Sequence, residues 1–115
     1  MMGIRGATSV EYDMEKSIRE RTLELMNQIF ERNEIEKLIS IIFSVTPDIR
    51  SMNPATVVRK ELHLADVPLM CFQEADFNGS PRRMIRVLIL CESRTKNFVY
   101  LHDAVSLRPD LEVKI

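Results

Sequence analysis

The sequence is poor in the residues on which most catalytic chemistry depends. Its three glycines, Gly3, Gly6 and Gly79, are too scattered to build a loop that cradles phosphate with backbone amides. Its two histidines, His63 and His102, stand apart from each other and from the cysteines, so no Cys and His cluster has metal-ligand spacing. Nothing suggests a Ser–His–Asp set. Cys71 and Cys91 are the only cysteines, and both lie in apolar, strand-like runs. They read as reduced core thiols, which makes the cytoplasm the default location. No apolar run reaches the roughly 20 residues that span a bilayer. Met1-Met-Gly-Ile-Arg-Gly6 lacks the apolar stretch of a signal peptide. The formal net charge is only −1, giving no general pull towards nucleic acid or anionic membranes. The expectation is therefore no metal, no cofactor, no nucleic acid and no membrane.

With 115 residues and 45% hydrophobic content, the chain fits one domain, 1–115, with a core of its own. No repeat, low-complexity tract or linker interrupts it. Residues 3–10 read as a short first strand, with glycines on both sides of Arg5 suggesting close approach by another strand or a ligand. Residues 13–32 read as a helix capped by Asp13, with Met14, Ile18, Leu25, Met26 and Ile29 on one apolar stripe and Asn33 as terminator. Residues 38–45 form a nearly continuous apolar run, suited to a strand buried on both faces. Strand, long helix and strand suggest a right-handed crossover and a parallel pair.

Asn53-Pro54 opens a second, short helix running to about Leu62, with Asn53 as cap. A third strand covers 67–73, confined by Pro68 to an edge or a strand start. The turn Asn78-Gly79-Ser80-Pro81 leads into a fourth, 84–91. A polar turn at 92–97 precedes a fifth strand, 98–101, and a short irregular or one-turn tail. The sum is an α+β fold: a mixed five-stranded sheet covered on one face by a long helix. The other face then needs a partner, which points to an oligomer with sites at its interfaces.

Charges inside apolar strands are the informative residues. Arg86 shares a strand face with Met84, Leu88 and Leu90, while Glu74 ends the third strand. A buried charge is costly unless paired. The two charges form either a salt bridge closed on itself or two walls of a polar pocket. Arg5, Arg59, Arg86 and Arg108 together suit a small dianion, because guanidinium forks bind carboxylates through two parallel hydrogen bonds.

Ile4-Arg-Gly-Ala-Thr8, Ser44-Val-Thr-Pro-Asp48, Val67-Pro-Leu-Met-Cys-Phe-Gln-Glu74, Ile85-Arg-Val87, Val99-Tyr-Leu101 and Leu107-Arg-Pro-Asp-Leu111 occur in that order. In this the chain resembles the monofunctional chorismate mutases of the trimeric α/β-barrel class, distinct from the all-helical class. The resemblance runs from Met1 to about Leu111. It implies a homotrimer forming a pseudo-α/β-barrel, with sites between subunits. It also implies the Claisen rearrangement of chorismate to prephenate, in phenylalanine and tyrosine biosynthesis, without a cofactor. By the same resemblance Arg86 stabilises the breaking ether oxygen, and Glu74 accepts a hydrogen bond from the ring hydroxyl with Cys71 beside it. Arg5 and Tyr100 hold substrate carboxylate; Arg59, Arg108 and Leu107 contribute from further out. Asn53 and Thr56 depart from the family, which usually has an aromatic residue and a lysine there. Cys71 and Glu74 are three apart, so the strand has to end or bulge near Gln73 for both to reach one pocket. Two other functions stay open: a non-catalytic trimer binding a small dicarboxylate, and a small trimeric imine deaminase.

Overall fold

The two most apolar strands lie side by side at the centre of the sheet. The computed structural model describes residues 1–107. It contains β1 (Met2–Ser9), α1 (Glu15–Arg32), β2 (Ile35–Val45), α2 (Pro54–Glu61), β3 (Leu69–Gln73), β4 (Met84–Ser93), β5 (Val99–Tyr100) and a short 3₁₀ helix, His102–Leu107. The strands order as β3-β2-β4-β1-β5. β4 runs antiparallel to β1 and to β2, while β3 pairs parallel with β2 and β5 parallel with β1. The mixed five-stranded sheet and the edge position of β3 agree with the sequence.

Order along the chain does not give neighbours in the sheet at two places. β1 and β2 point the same way across the α1 crossover, but β4 sits between them. β3 and β4 are likewise separated by β2, because the segment 74–83 carries the chain over β2 instead of closing a tight hairpin. Its turn is fixed locally: Gly79 takes φ 81°, which a side chain would strain, and the Phe77 amide donates to Ser80 Oγ at 2.8 Å.

Parity along the strands divides the sheet into two unlike faces. Ile4, Ile41, Phe43, Ile85, Val87 and Ile89 point to the face covered by the helices and are buried there with Ile18, Leu25, Met26 and Ile29 of α1 and Val58 of α2. Each fully buried aliphatic side chain contributes about 1.5–3 kcal/mol. Gly6 lies on the same face, and its use is now clear. A Cβ there would stand 2.8 Å from Ile29 Cδ1 and 3.1 Å from the Val99 carbonyl oxygen. The close approach is therefore by α1 and β5, not by a ligand.

The opposite face carries Arg5, Ile42, Ser44, Arg86, Leu88 and Leu90, exposed or half-buried. Among the described residues, the final 3₁₀ helix folds onto it at the β5 side, where Ala104 and Leu107 pack with Ala7, Met84 and Tyr100.

Two details of α1 differ from expectation. Its N-cap is Met14, which makes no side-chain cap and is exposed, so Met14 is not part of the stripe; fully buried Thr22 is. Asp13 instead accepts hydrogen bonds from the Arg50 and Ser51 amides, both at 2.9 Å. A distant loop with two free donors outcompetes the helix's own first turn. Asn33 does end α1, and its side chain also binds Asn97 and Thr95 across to the β4–β5 connection.

Candidate active site

One row of side chains crosses the whole open face. Phe72 pairs with Ser44, Ser44 with Arg86, Arg86 with Ala7, and Ala7 with Tyr100. Strands about 4.8 Å apart put Arg86 and Tyr100 roughly 10 Å from each other, with only an alanine between them. Arg86 thus has a small residue on each side, Ser44 and Ala7, so its guanidinium rises from a shallow trough. Arg5 is its diagonal neighbour on the same face, because Arg5 pairs with Leu88. The Arg5 guanidinium lies over the Phe98 ring, 5.4 Å from the centroid, a cation–π contact that orients it. Tyr100 and Leu107 close the β5 side of the row.

Glu74 closes the β3 side. Its amide donates to the Val45 carbonyl at 2.8 Å, extending the β3 pairing by one residue. Its Oε2 accepts from Ser44 Oγ at 2.9 Å and stands 3.1 Å from Arg86 Nε. The Arg86 Nε atom is buried, yet among the described residues it forms no hydrogen bond, so its N–H does not point along that line. Charge attraction therefore holds the pair, and the forked end of the guanidinium is not spent on it. The Arg86 side chain is 41% exposed and that of Glu74 18%. Both line an open groove of about 440 Å³ with Ser44, Phe77, Ser80 and Pro81. The salt bridge and the polar pocket, alternatives in the sequence, coexist here.

Not every expected residue joins them. Cys71 pairs with Phe43 and so faces the helices, opposite to Glu74. No bulge intervenes, and alternation carries through Gln73, so within one chain Cys71 does not lie beside Glu74. It lines a smaller pocket of about 180 Å³ at the β3–α2 edge, together with Arg59, Asn53 and Thr56. Burial pushes the Cys71 thiol up from its ordinary value, keeping it protonated at neutral pH. Asn53 accepts from the Ala55 amide at 2.8 Å, capping α2 as expected. Arg108 lies outside the described residues.

The sequence as a whole matches the model of the family described as chorismate mutase type I, over residues 1–111. The chain belongs to the type I chorismate mutase family. It is 43% identical to the chorismate mutase AroH of Thermus thermophilus, over 96% of this chain and 95% of that protein. It is 38% identical to the chorismate mutase AroH of Bacillus subtilis, over 96% and 92%. Among solved structures it resembles the chorismate mutase of Clostridium thermocellum, with a TM-score of 0.85, 33% identity and coverage of 92% of this chain and 99% of that one. The mixed α+β sheet is thus a chorismate mutase fold.

Two neighbours of Arg86 had no role assigned from sequence. Ser44 and Ala7 sit inside quoted motifs, and the signal for both was their size. A serine among Ile41, Ile42, Phe43 and Val45 marks the half-exposed face. Ala7 lies between Arg86 and Tyr100 and is small enough to leave the two facing each other.

Proposed function

We propose that this protein is a chorismate mutase, an isomerase that rearranges chorismate to prephenate in the cytoplasm for phenylalanine and tyrosine synthesis. The domain extends over residues 1–115. The observation that carries the reading is Arg86, held in the middle of a packed strand and projecting between two small residues into an open groove.

The rearrangement is pericyclic, so it needs no nucleophile and no proton transfer; a protonated Cys71 is compatible with that. The protein has two tasks: hold the compact conformer of the substrate, and favour a polarised transition state. As the ether bond breaks, negative charge grows on its oxygen. Arg86 meets that charge with a cation whose position the β4 backbone fixes in advance. Arg5, diagonal to Arg86, and Tyr100, across Ala7 from it, take carboxylate. Glu74 accepts from the ring hydroxyl. Leu107 contributes at the rim, and the charge of Arg108 attracts the dianion.

Cys71 and Arg59 belong to the same site only if a second copy supplies them. Homotrimerisation achieves this by setting the β3–α2 edge of one copy against the open face of another. Supporting it, the open face leaves Leu88 and Leu90 half-buried, and Met70 and Phe72 on β3 are 56% and 51% exposed. Such apolar area on one side of a sheet is an association surface.

The test is conversion of chorismate by purified protein, followed by the loss of its ultraviolet absorbance and the appearance of prephenate. Turnover well above the uncatalysed rate is expected. A folded, trimeric protein that binds a bicyclic diacid but leaves chorismate unchanged would overturn the enzyme reading in favour of a dicarboxylate-binding module.

A further inference from the structure

We propose that Ser44 is a positioning residue of this site: its hydroxyl fixes the Glu74 carboxylate, and so sets that carboxylate's place relative to the Arg86 guanidinium. The inference rests on the chorismate mutase reading of the groove.

Glu74 lies one residue beyond the end of β3, where the sheet no longer holds it through a regular ladder. Two consecutive residues of β2 hold it instead. Val45 takes its amide at 2.8 Å, and Ser44 Oγ donates to its Oε2 at 2.9 Å. The other nearby charge does not do this work. Arg86 Nε is 3.1 Å from the same oxygen without a hydrogen bond to it. An ion pair of that kind attracts but barely orients, whereas the Ser44 hydroxyl is directional. A glutamate has three rotatable side-chain bonds, so without the hydroxyl the carboxylate is free to swing within the attraction of Arg86.

The hydrogen bond also divides the labour of the two oxygens. Oε2 is committed to Ser44 and to the charge of Arg86, while Oε1 makes no hydrogen bond among the described residues. Oε1 is thus the acceptor presented to a ligand hydroxyl. Residue 44 must also be small, because it is the cross-strand neighbour of both Arg86 and Phe72, and bulk there would fill the trough. Serine satisfies both demands, being small and a donor.

The test compares Ser44→Ala, Ser44→Thr and Ser44→Val, alone and in a Glu74→Ala background, by kcat, KM and thermal melting. Ser44→Ala is expected to lower kcat about ten- to a hundredfold, the range of one hydrogen bond to a charged group, with KM changed less than about threefold. Ser44→Thr should recover most of that loss. Ser44→Val, the same shape without the hydroxyl, should not, and this pair decides the matter if the alanine variant is destabilised. In the Glu74→Ala background, which has no side-chain acceptor left, the Ser44 changes should cost less than about twofold further. Near-native kcat in Ser44→Ala, equal loss in the Thr and Val variants, or the full loss persisting beside Glu74→Ala would each overturn the inference. A wild type inert towards chorismate would instead refute the proposed function. An active wild type with an inactive Arg86→Ala and a normal Ser44→Ala would refute only the role of Ser44.

Discussion

Gly6→Ala tests whether the close approach of α1 to β1 is what the fold needs at that position. The added Cβ would meet Ile29 Cδ1 at 2.8 Å, the Val99 carbonyl oxygen at 3.1 Å and Leu25 Cδ1 at 3.2 Å. The first and third are tips of side chains, but both residues are fully buried, so neither has free space to move into. The second is backbone of the paired strand β5 and moves only if β5 moves. Overpacking of this kind costs about 1–3 kcal/mol. Against it, alanine restricts the unfolded chain and returns about 0.4–1 kcal/mol. The net loss is then roughly 1–2 kcal/mol, a fall of about 4–8 °C in Tm for a domain of this size. Thermal unfolding followed by circular dichroism reads it directly. Gly3→Ala is the internal control. Its Cβ would meet only Leu88 Cδ1, at 3.1 Å, and Leu90 Cδ2, at 3.8 Å, both tips on the half-exposed face. It should change stability by less than about 0.5 kcal/mol. A Gly6→Ala protein that melts at or above the wild-type temperature would refute the packing argument.

Thr22 is fully buried in α1 and its hydroxyl has no hydrogen-bond partner among the described residues. Thr22→Val should therefore be neutral or stabilising by up to about 1 kcal/mol in denaturant unfolding, and a clear destabilisation would reveal a missed partner. Asp13 has its carboxyl held below the ordinary 3.8: desolvation, the largest single influence, raises it, but the Arg50 and Ser51 hydrogen bonds and the Arg50 charge together outweigh it. A depressed folded-state value contributes stability that is complete above the unfolded value and lost as pH falls through the folded one. The stability gap between wild type and Asp13→Ala should be constant near neutrality and close below about pH 4; a gap that widens in acid would contradict the assignment. Cys71→Ala should keep kcat within about threefold, because a thiol held protonated by burial is no nucleophile; loss of activity by orders of magnitude would reopen covalent chemistry.

The fold and the site were legible to different depths. Periodicity located α1 and all five strands, since hydrophobic spacing is local information. Strand order was not local. Inserting β4 between β1 and β2 depends on which long strands pair best across the finished sheet, and nothing between residues 10 and 45 records it. The Asp13 cap failed for the same reason: the winning donors, Arg50 and Ser51, are far along the chain. At the site, Arg86 and Glu74 stood out because charge in an apolar strand demands a reason. Strand parity then warned correctly that Cys71 and Glu74 would face opposite ways. Ser44 escaped a role because a lone hydroxyl in a strand demands nothing until its partner is known. That partner, Glu74, reaches it only through the parallel pairing of β2 with β3.

The most direct test of the account is kcat for Arg86→Ala with chorismate, measured beside wild type and beside Arg86→Lys. A cation about 4 Å from a developing negative charge, at the effective dielectric of a partly exposed site, interacts by about 4 kcal/mol, or roughly three decades in rate. The alanine variant should therefore lose about 10²–10³-fold or more in kcat. The lysine variant should also be poor, since it keeps the charge but not the fork. Because the Arg86–Glu74 pair is partly exposed and not hydrogen-bonded, the melting temperature should move by only a few degrees. An Arg86→Ala protein that folds and turns over chorismate within about tenfold of wild type would contradict the central claim that Arg86 supplies the transition-state charge.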